Sequence, residues 1–388
     1  MKYRTNPKTG EEISALSFGC MRLPKDEREA GRLISHAVEQ GINYFDTAYI
    51  YPGNEAKIGK LLSGGLRERV KLATKLPPFL VNKTEDFIKI LEAQLQRLKT
   101  DRIDYYLIHM LNGLPEWERL VRLGADEWIQ REKERGRIAQ IGFSFHGPAD
   151  AFPALCDAYE WEHCMIQYNY YDQNYQAGES GLEHAAVKGL PVIIMEPVRG
   201  GWLAGGIPKQ ARDIFAAYHP KRTPAEWSLR WLWNQPGVTS VLSGMDSFDV
   251  LQENLNSCQE ASVGCFSQKD NELISKVKEV LQGLNKIPCT ACGYCMPCPA
   301  RVDIPLCFSI ANDRGGERSK MANTFKYITY LGNRNSAACN GCGKCEKLCP
   351  QGISIAKELA GVKKTIERGL YRPMRFFVRK FMKDIIEK

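Results

Sequence analysis

The chain has 388 residues, a formal net charge of +8, 44% hydrophobic and 25% charged residues. That length exceeds one average domain, and ordinary globular fractions exclude fibrous, low-complexity and wholly disordered classes. No run approaches about 20 uninterrupted apolar residues, and Met1-Lys2-Tyr3-Arg4-Thr5-Asn6-Pro7 lacks the apolar stretch of a signal peptide. A cytoplasmic protein is expected, its 14 cysteines reading as metal ligands or free thiols and not as bridges, with no nucleic-acid partner.

From Ser14 to about residue 284, short apolar runs alternate with longer amphipathic ones, the pattern of βαβ units around a parallel sheet. Strands are predicted at 16–21, 44–47, 70–75, 105–109, 138–144, 165–168, 192–195 and 239–242. Helices are predicted at 26–39, 55–62, 84–98, 117–135, 178–188, 224–233, 248–256 and 271–284. Eight strands, each followed by a helical stretch, give the count of a (β/α)8 TIM barrel, an α/β fold. A doubly wound sheet suits the same alternation, but no G-x-G-x-x-G follows the first strand to take a dinucleotide in that way.

In such a barrel the site lies at the C-terminal ends of the strands, so polar residues closing apolar runs are the candidates. Asp46 ends the second run with Tyr51 five residues on; Lys75 ends the third and His109 the fourth. A buried lysine or carboxylate is costly unless paired, so Asp46 and Lys75 read as a structural ion pair or as half of a site. Tyr49 competes with Tyr51 for the inward position, and His146, just past Ser144, is a further candidate contact. If such a cluster were to serve carbonyl reduction by hydride transfer, it would need an acid for the new alkoxide, and a tyrosine with a pKa of about 10 is a reluctant donor. An ammonium beside the phenol favours phenolate and lowers that pKa, a role for Lys75. Asp46 then holds Lys75 charged and in place, and His109 hydrogen-bonds the substrate oxygen or shares the proton.

At these residues the chain resembles the aldo/keto reductases, whose catalytic aspartate, tyrosine, lysine and histidine match Asp46, Tyr51, Lys75 and His109 in order and strand by strand. Further matches are Ile141-Gly142-Phe143-Ser144, Gln167-Tyr168-Asn169, Leu229-Arg230-Trp231 with Pro236-Gly237-Val238, and Glu253-Asn254, over roughly residues 10 to 260. The resemblance implies an oxidoreductase that uses NAD(P)(H) on a small carbonyl or alcohol substrate. Ser144 and Gln167 match the positions that hold the nicotinamide amide, and Met195 stands where the family has a stacking tyrosine; a thioether can also lie on a ring. Ser243 and Gly244 replace the lysine and serine typical of NADPH-specific relatives, and Val250 an arginine, so a 2'-phosphate loses its charge-assisted partners there. Arg199, Gly200 and Gly201 offer a phosphate a guanidinium and backbone N–H groups.

Past a linker at 285–288 come two cysteine runs: Cys289, Cys292, Cys295 and Cys298-Pro299, then Cys339, Cys342, Cys345 and Cys349-Pro350. The second fits the C-x2-C-x2-C-x3-C-P spacing of bacterial iron-sulfur proteins, in which three cysteines wrap one cubane and the fourth reaches the other cluster. That pairs Cys289, Cys292 and Cys295 with Cys349, and Cys339, Cys342 and Cys345 with Cys298, although the first run has only two residues before its last cysteine. Zinc is the nearest alternative, since its four-thiolate sites also use C-x2-C spacing. The expected layout is a barrel over 1–284, a small, mainly helical ferredoxin-like domain with two 4Fe-4S clusters over 285–360, and a tail over 361–388. This places the chain closest to the iron-sulfur branch of the aldo/keto reductases. Cys20, Cys156, Cys164, Cys258 and Cys265 read as small buried residues, and Cys307 as that or a spare ligand.

A nicotinamide gives up two electrons as hydride, whereas a cubane accepts one at a time. A flavin such as FMN, bound at the loops after strands seven and eight, splits the pair and defines a rival reading, with a redox protein as electron partner. Clusters that merely fold their domain, and a non-catalytic electron carrier, are the others. The tail carries nine lysines and arginines against Glu367, Asp384 and Glu387, with Phe376, Phe377, Phe381, Ile385 and Ile386 near helical spacing. A basic amphipathic helix is expected there, packing its apolar stripe on its own protein, with an acidic partner or a membrane surface as alternatives.

Overall fold

Two short strands, β1 (Tyr3–Thr5) and β2 (Glu12–Ser14), form an antiparallel hairpin ahead of eight parallel ones. These are β3 (Leu16–Gly19), β4 (Tyr44–Asp46), β5 (Lys71–Leu76), β6 (Ile103–Leu111), β7 (Ile138–Phe145), β8 (His163–Gln167), β9 (Val192–Met195) and β10 (Val238–Ser243). In this computed structural model, which describes residues 1–283, 286–289, 295–313, 320–349 and 352–381, β10 pairs with β3, Val241 opposite Leu16, and closes the barrel. Closure decides against the doubly wound sheet. Cys292, Pro350, residues 284–285 of the linker region and the tail beyond 381 lie outside the described residues.

The chain divides into two compact units, Met1–Ala204 with His219–Glu272, and Gly205–Tyr218 with Leu273–Lys388. In the first, the barrel interior is filled by Tyr44, Ala73, Tyr105, Leu107, Met165, Ile193 and Leu242. Each such side chain contributes about 1.5–3 kcal/mol on burial if large. The hairpin is not legible in the sequence, because three-residue strands flanking Asn6-Pro7-Lys8-Thr9-Gly10 carry no period. Its turn seals the N-terminal end of the barrel. Fully buried Asn6 donates its Nδ2 to Tyr105 Oη at 3.2 Å and Gln140 Oε1 at 3.1 Å. Glu11 Oε2 accepts from the same two residues, at 3.0 and 2.8 Å. The opposite, C-terminal mouth is left for chemistry.

Around the strands run α1 (Glu27–Glu39), α2 (Asn54–Leu61), α3 (Thr84–Leu98), α4 (Leu114–Arg122), α5 (Ala125–Glu134), α6 (Phe152–Asp157) and α7 (Gly178–Val187). Next come α8 (Lys209–Ala216), which belongs to the second unit, α9 (Pro224–Trp233), α10 (Phe248–Cys258) and α11 (Gln268–Gly283). Side-chain caps start several of them: Asp26 accepts from Glu29 N, Thr223 from Glu226 N and Ser247 from Val250 N. The stretch 117–135, expected as one helix, is instead two, α4 and α5, because Gly124 takes φ +85° and ends the first turn run in a left-handed conformation. Gly59 lets α2 meet α3: a Cβ there would lie 2.3 Å from Arg97 O.

The second unit also holds α12 (Ile304–Asp313), α13 (Lys320–Leu331), α14 (Ile355–Ile366) and α15 (Tyr371–Phe381). Cys307, Phe308, Tyr327, Leu359 and Ile366 are buried in it. Tyr327 bridges its elements, with Oη 2.5 Å from Ser336 Oγ and donating to Glu367 Oε1 at 3.2 Å. Ile287, in the linker, exchanges two hydrogen bonds with the Asn312 side chain, at 3.1 and 2.8 Å. No helix among the described residues is long and apolar enough to cross a membrane.

Candidate active site and cluster sites

Asp46 closes β4, and Lys75 lies one residue from the end of β5, so adjacent parallel strands carry them to one spot at the mouth. Lys75 Nζ lies 2.6 Å from each Asp46 carboxylate oxygen and donates to Thr47 O at 2.7 Å. Both side chains are buried, at 2% and 8% exposure, so each charge depends on the other. Burial pushes the Asp46 carboxyl up from its ordinary range, and the Lys75 ammonium opposes that shift.

Tyr51 sits in the turn between β4 and α2, its N–H on Ala48 O at 3.1 Å and its carbonyl accepting from Asn54 N at 3.1 Å. The Lys75 ammonium lies 5.6 Å from the Tyr51 ring centroid, and the ring meets His109 edge-on at 6.3 Å and 86°. Tyr49 does not compete: its ring lies under the Arg97 guanidinium, 4.5 Å away, toward α3. His109, inside β6, is 5% exposed, and among the described residues nothing hydrogen-bonds its Nδ1. Burial first, then the Lys75 and His146 charges, holds it well below the usual histidine range. It is therefore a neutral imidazole near pH 7, able to donate or accept at a substrate oxygen.

Several positioning groups escape sequence reasoning. Asn54 ties the turn to its neighbours: Thr47 Oγ1 donates to its Oδ1 at 2.6 Å, and its Nδ2 donates to Cys20 O at 2.7 Å. Behind Lys75, Gln94 Nε2 donates to Lys75 O at 3.1 Å and to buried Glu55 Oε1 at 2.9 Å. Thr74 and Arg97 complete the shell of Glu55, at 2.7 and 3.1 Å. The single available signal is polar residues on the core-facing stripes of predicted helices, Glu55 and Gln94, with Asn54 just ahead of the first.

The remaining candidates lie on or just past β7 to β10, apart from Asn254, which is in α10. Ser144, in β7, accepts from Met110 N at 2.8 Å, which leaves its hydroxyl proton for another acceptor. Gln167 ends β8 and donates to Asp172 Oδ2 at 3.0 Å. Met195 ends β9 and packs half-buried against the barrel interior. Arg199 is 5% exposed, with Nε on Asp172 Oδ2 at 2.8 Å and its guanidinium over Tyr171 and Trp202, at 4.8 and 5.3 Å. Gly200 and Gly201 follow at φ +64° and +94°. Gly244 is exposed just past β10, and Asn254, in α10, donates to Ser243 Oγ at 2.7 Å. The Arg32 guanidinium, from α1, lies 5.2 Å over the ring of Phe248, the first residue of α10.

In the second unit, Cys339, Cys342 and Cys345 lie on a loop turned by Gly341 and Gly343 at φ +73° and +69°, with Asn340 Oδ1 accepting from Cys342 N at 3.3 Å. Burial raises the Cys345 thiol, and Cys298, Glu346 and Cys339 act on it as neighbours in the same direction. Cys289, Cys295 and Cys349 are partly exposed, and Cys307 is fully buried in the unit's core.

Comparison with known proteins gives two family matches. The profile described as the aldo/keto reductase family matches residues 15–279, and the profile of a 4Fe-4S dicluster domain matches residues 288–354. A 6-dehydroglucose reductase of Novosphingobium aromaticivorans is 29% identical over 272 residues, 63% of this chain and 86% of the relative. An uncharacterized oxidoreductase of Bacillus subtilis is 25% identical over 331 residues, 74% of this chain and 96% of the relative. The structure of an aldo-keto reductase from Bacillus halodurans in its holo form superposes with a TM-score of 0.61 at 25% identity, over 71% of this chain and 96% of that one. A closed (β/α)8 barrel matched by the family over most of its length, with a 4Fe-4S dicluster domain downstream, makes this chain an oxidoreductase of the aldo/keto reductase family.

Proposed function

We propose that the chain transfers hydride between a nicotinamide cofactor and a small carbonyl or alcohol substrate, with Asp46, Tyr51, Lys75 and His109 as its acid-base machinery. The observation that carries this is the Lys75 ammonium, fixed by Asp46 on one side and facing the Tyr51 ring on the other. When bound, a reduced nicotinamide supplies the hydride. Tyr51 Oη gives its proton to the oxygen that becomes the alkoxide; Lys75 makes that proton easier to release; His109 hydrogen-bonds the same oxygen and orients it. The Tyr51–Lys75–His109 cluster runs in reverse for alcohol oxidation, Tyr51 then taking the proton.

The rim fits a nicotinamide amide: the Ser144 hydroxyl keeps a proton to donate, and Gln167 has its amide nitrogen anchored by Asp172, which aims its carbonyl end. Met195 offers a thioether to the ring face. The Arg32 guanidinium brings a cation to the start of α10, where residues 244 and 250 bring none, so NADH and NADPH both remain within the proposal. The functional division follows the barrel over 1–284, the cluster domain over 285–360 and the tail over 361–388. The eight cysteines of the two runs are the proposed ligands, Cys298 joining Cys339, Cys342 and Cys345, as the iron-sulfur ligand spacing suggests. Bound clusters take up and pass single electrons.

That one-electron chemistry favours a second reading in which a flavin at the mouth exchanges electrons with the clusters and a redox protein outside. Its phosphate-cradling part would use an Arg199 whose charge is already paired with Asp172. The test is anaerobic purification, release and identification of any bound nucleotide, then turnover of short aldehydes with NADH or NADPH. Tyr51→Phe is expected to lower turnover by about 10²–10⁴-fold while iron content stays unchanged. Full activity in that variant would falsify the role of Tyr51, and a released flavin would replace the nicotinamide reading.

A further inference from the structure

We propose that the outer face of α14 and α15 docks onto an anionic lipid bilayer. Helix α15 carries apolar residues on two sides, one of them buried. Tyr371 and Val378 are 4% and 1% exposed, the Tyr371 ring lying 6.1 Å from that of Tyr327. On the opposite side Phe376 is 70% exposed and Phe377 58%, and Leu370, in the turn that enters the helix, is 57% exposed.

The charge beside these groups has one sign. A groove of about 750 Å³ between the two helices is lined by Lys363, Lys364, Arg368, Arg372 and Arg375, with Glu367 as its acid. Glu367 is half-buried and accepts from Tyr327 Oη, so its carboxylate is already engaged inward. From Arg368 to Lys383 the sequence holds six lysines and arginines and no aspartate or glutamate. An ordinary solvated face mixes both signs and shows no aromatic stripe, whereas basic side chains flanking phenylalanines on a short helix make an interfacial element. The anionic leaflet attracts the cations across a Debye length, and the apolar groups enter the headgroup boundary.

The geometry favours lipid over an acidic protein. Phe376 and Phe377 are adjacent in sequence, hence about 100° apart around the helix, so their rings diverge across a broad face. A bilayer accommodates a diverging pair, while a protein interface concentrates its energy on anchors seated in preformed pockets.

The experiment is co-sedimentation of the full-length, anaerobically purified protein with vesicles of phosphatidylglycerol and phosphatidylcholine, and with vesicles of phosphatidylcholine alone. Partition onto the anionic vesicles is expected to be at least about tenfold stronger and to fall as sodium chloride is raised. Lys364→Glu with Arg372→Glu, both exposed positions, removes it, and Phe376→Ser weakens it several-fold, with circular dichroism and iron content unchanged. Equal partition onto both vesicle types, binding to neither, or wild-type binding by the charge-reversed variant overturns the proposal. Retention on immobilised polyglutamate without vesicle binding does so too, and assigns the face to an acidic protein partner.

Discussion

The ammonium of Lys75 faces the ring of Tyr51, 5.6 Å from its centroid. Parallel pairing of β4 with β5 delivers the lysine and its Asp46 counter-ion, while Tyr51 arrives on a turn stitched through Asn54 to Cys20, just past β3. The hydrogen bonds of that ammonium go to Asp46 and Thr47.

Breaking that pair separates stability from catalysis. Lys75→Met leaves the Asp46 carboxylate buried without its cation and is expected to cost about 3–5 kcal/mol. Adding Asp46→Leu restores much of that loss, because an apolar pair of similar volume replaces an ion pair, yet carbonyl turnover stays abolished in both variants. Urea midpoints and turnover measured on the same preparations check this; a double variant as unstable as the single one contradicts the pairing argument.

Cluster pairing is readable from iron content. Cys298→Ser and Cys342→Ser are each expected to lower iron from about eight to about four atoms per chain, as ligands of one cubane. Combining them lowers it no further, whereas Cys342→Ser with Cys289→Ser removes nearly all of it. Additive losses for the first pair would show that Cys298 serves the other cluster.

A histidine inside the barrel makes stability depend on pH. His163 is fully buried against the Tyr105 ring, 4.9 Å away, and burial lowers it to about 3. Unfolded, it titrates near about 6.5, so below that pH the unfolded chain takes up a proton that the folded one refuses. Its contribution to stability is fully present above the unfolded pKa and is lost at about 1.4 kcal/mol per pH unit as pH falls from 6.5 toward 3. His163→Phe is expected to flatten that part of the profile. Tryptophan-monitored unfolding of both proteins between pH 7 and 5 measures the difference, and parallel profiles refute it.

Overpacking tests the close approach of two helices. Gly59→Ala places a Cβ against Arg97 O and is expected to cost about 1–3 kcal/mol, with turnover falling because α2 follows the Tyr51 turn directly. A thermal midpoint within error of wild type would mean that α2 shifts freely.

By itself the sequence determined the features that repeat or that sit at fixed spacing: eight apolar runs alternating with amphipathic ones, polar residues closing the runs, and two sets of four cysteines three or four residues apart. Those signals are local, since strand and helix periods and thiol spacing act over a few residues. Only the tertiary structure shows that the Tyr49 ring lies under the Arg97 guanidinium, 48 positions away in the chain. It also decided that Arg199 spends its Nε on Asp172, that Asn6 seals the barrel floor, that Gly124 divides one expected helix in two, and that α15 keeps a second apolar face outside. Each of these depends on which distant surfaces meet, and a contact between remote segments leaves no period in the sequence that forms it.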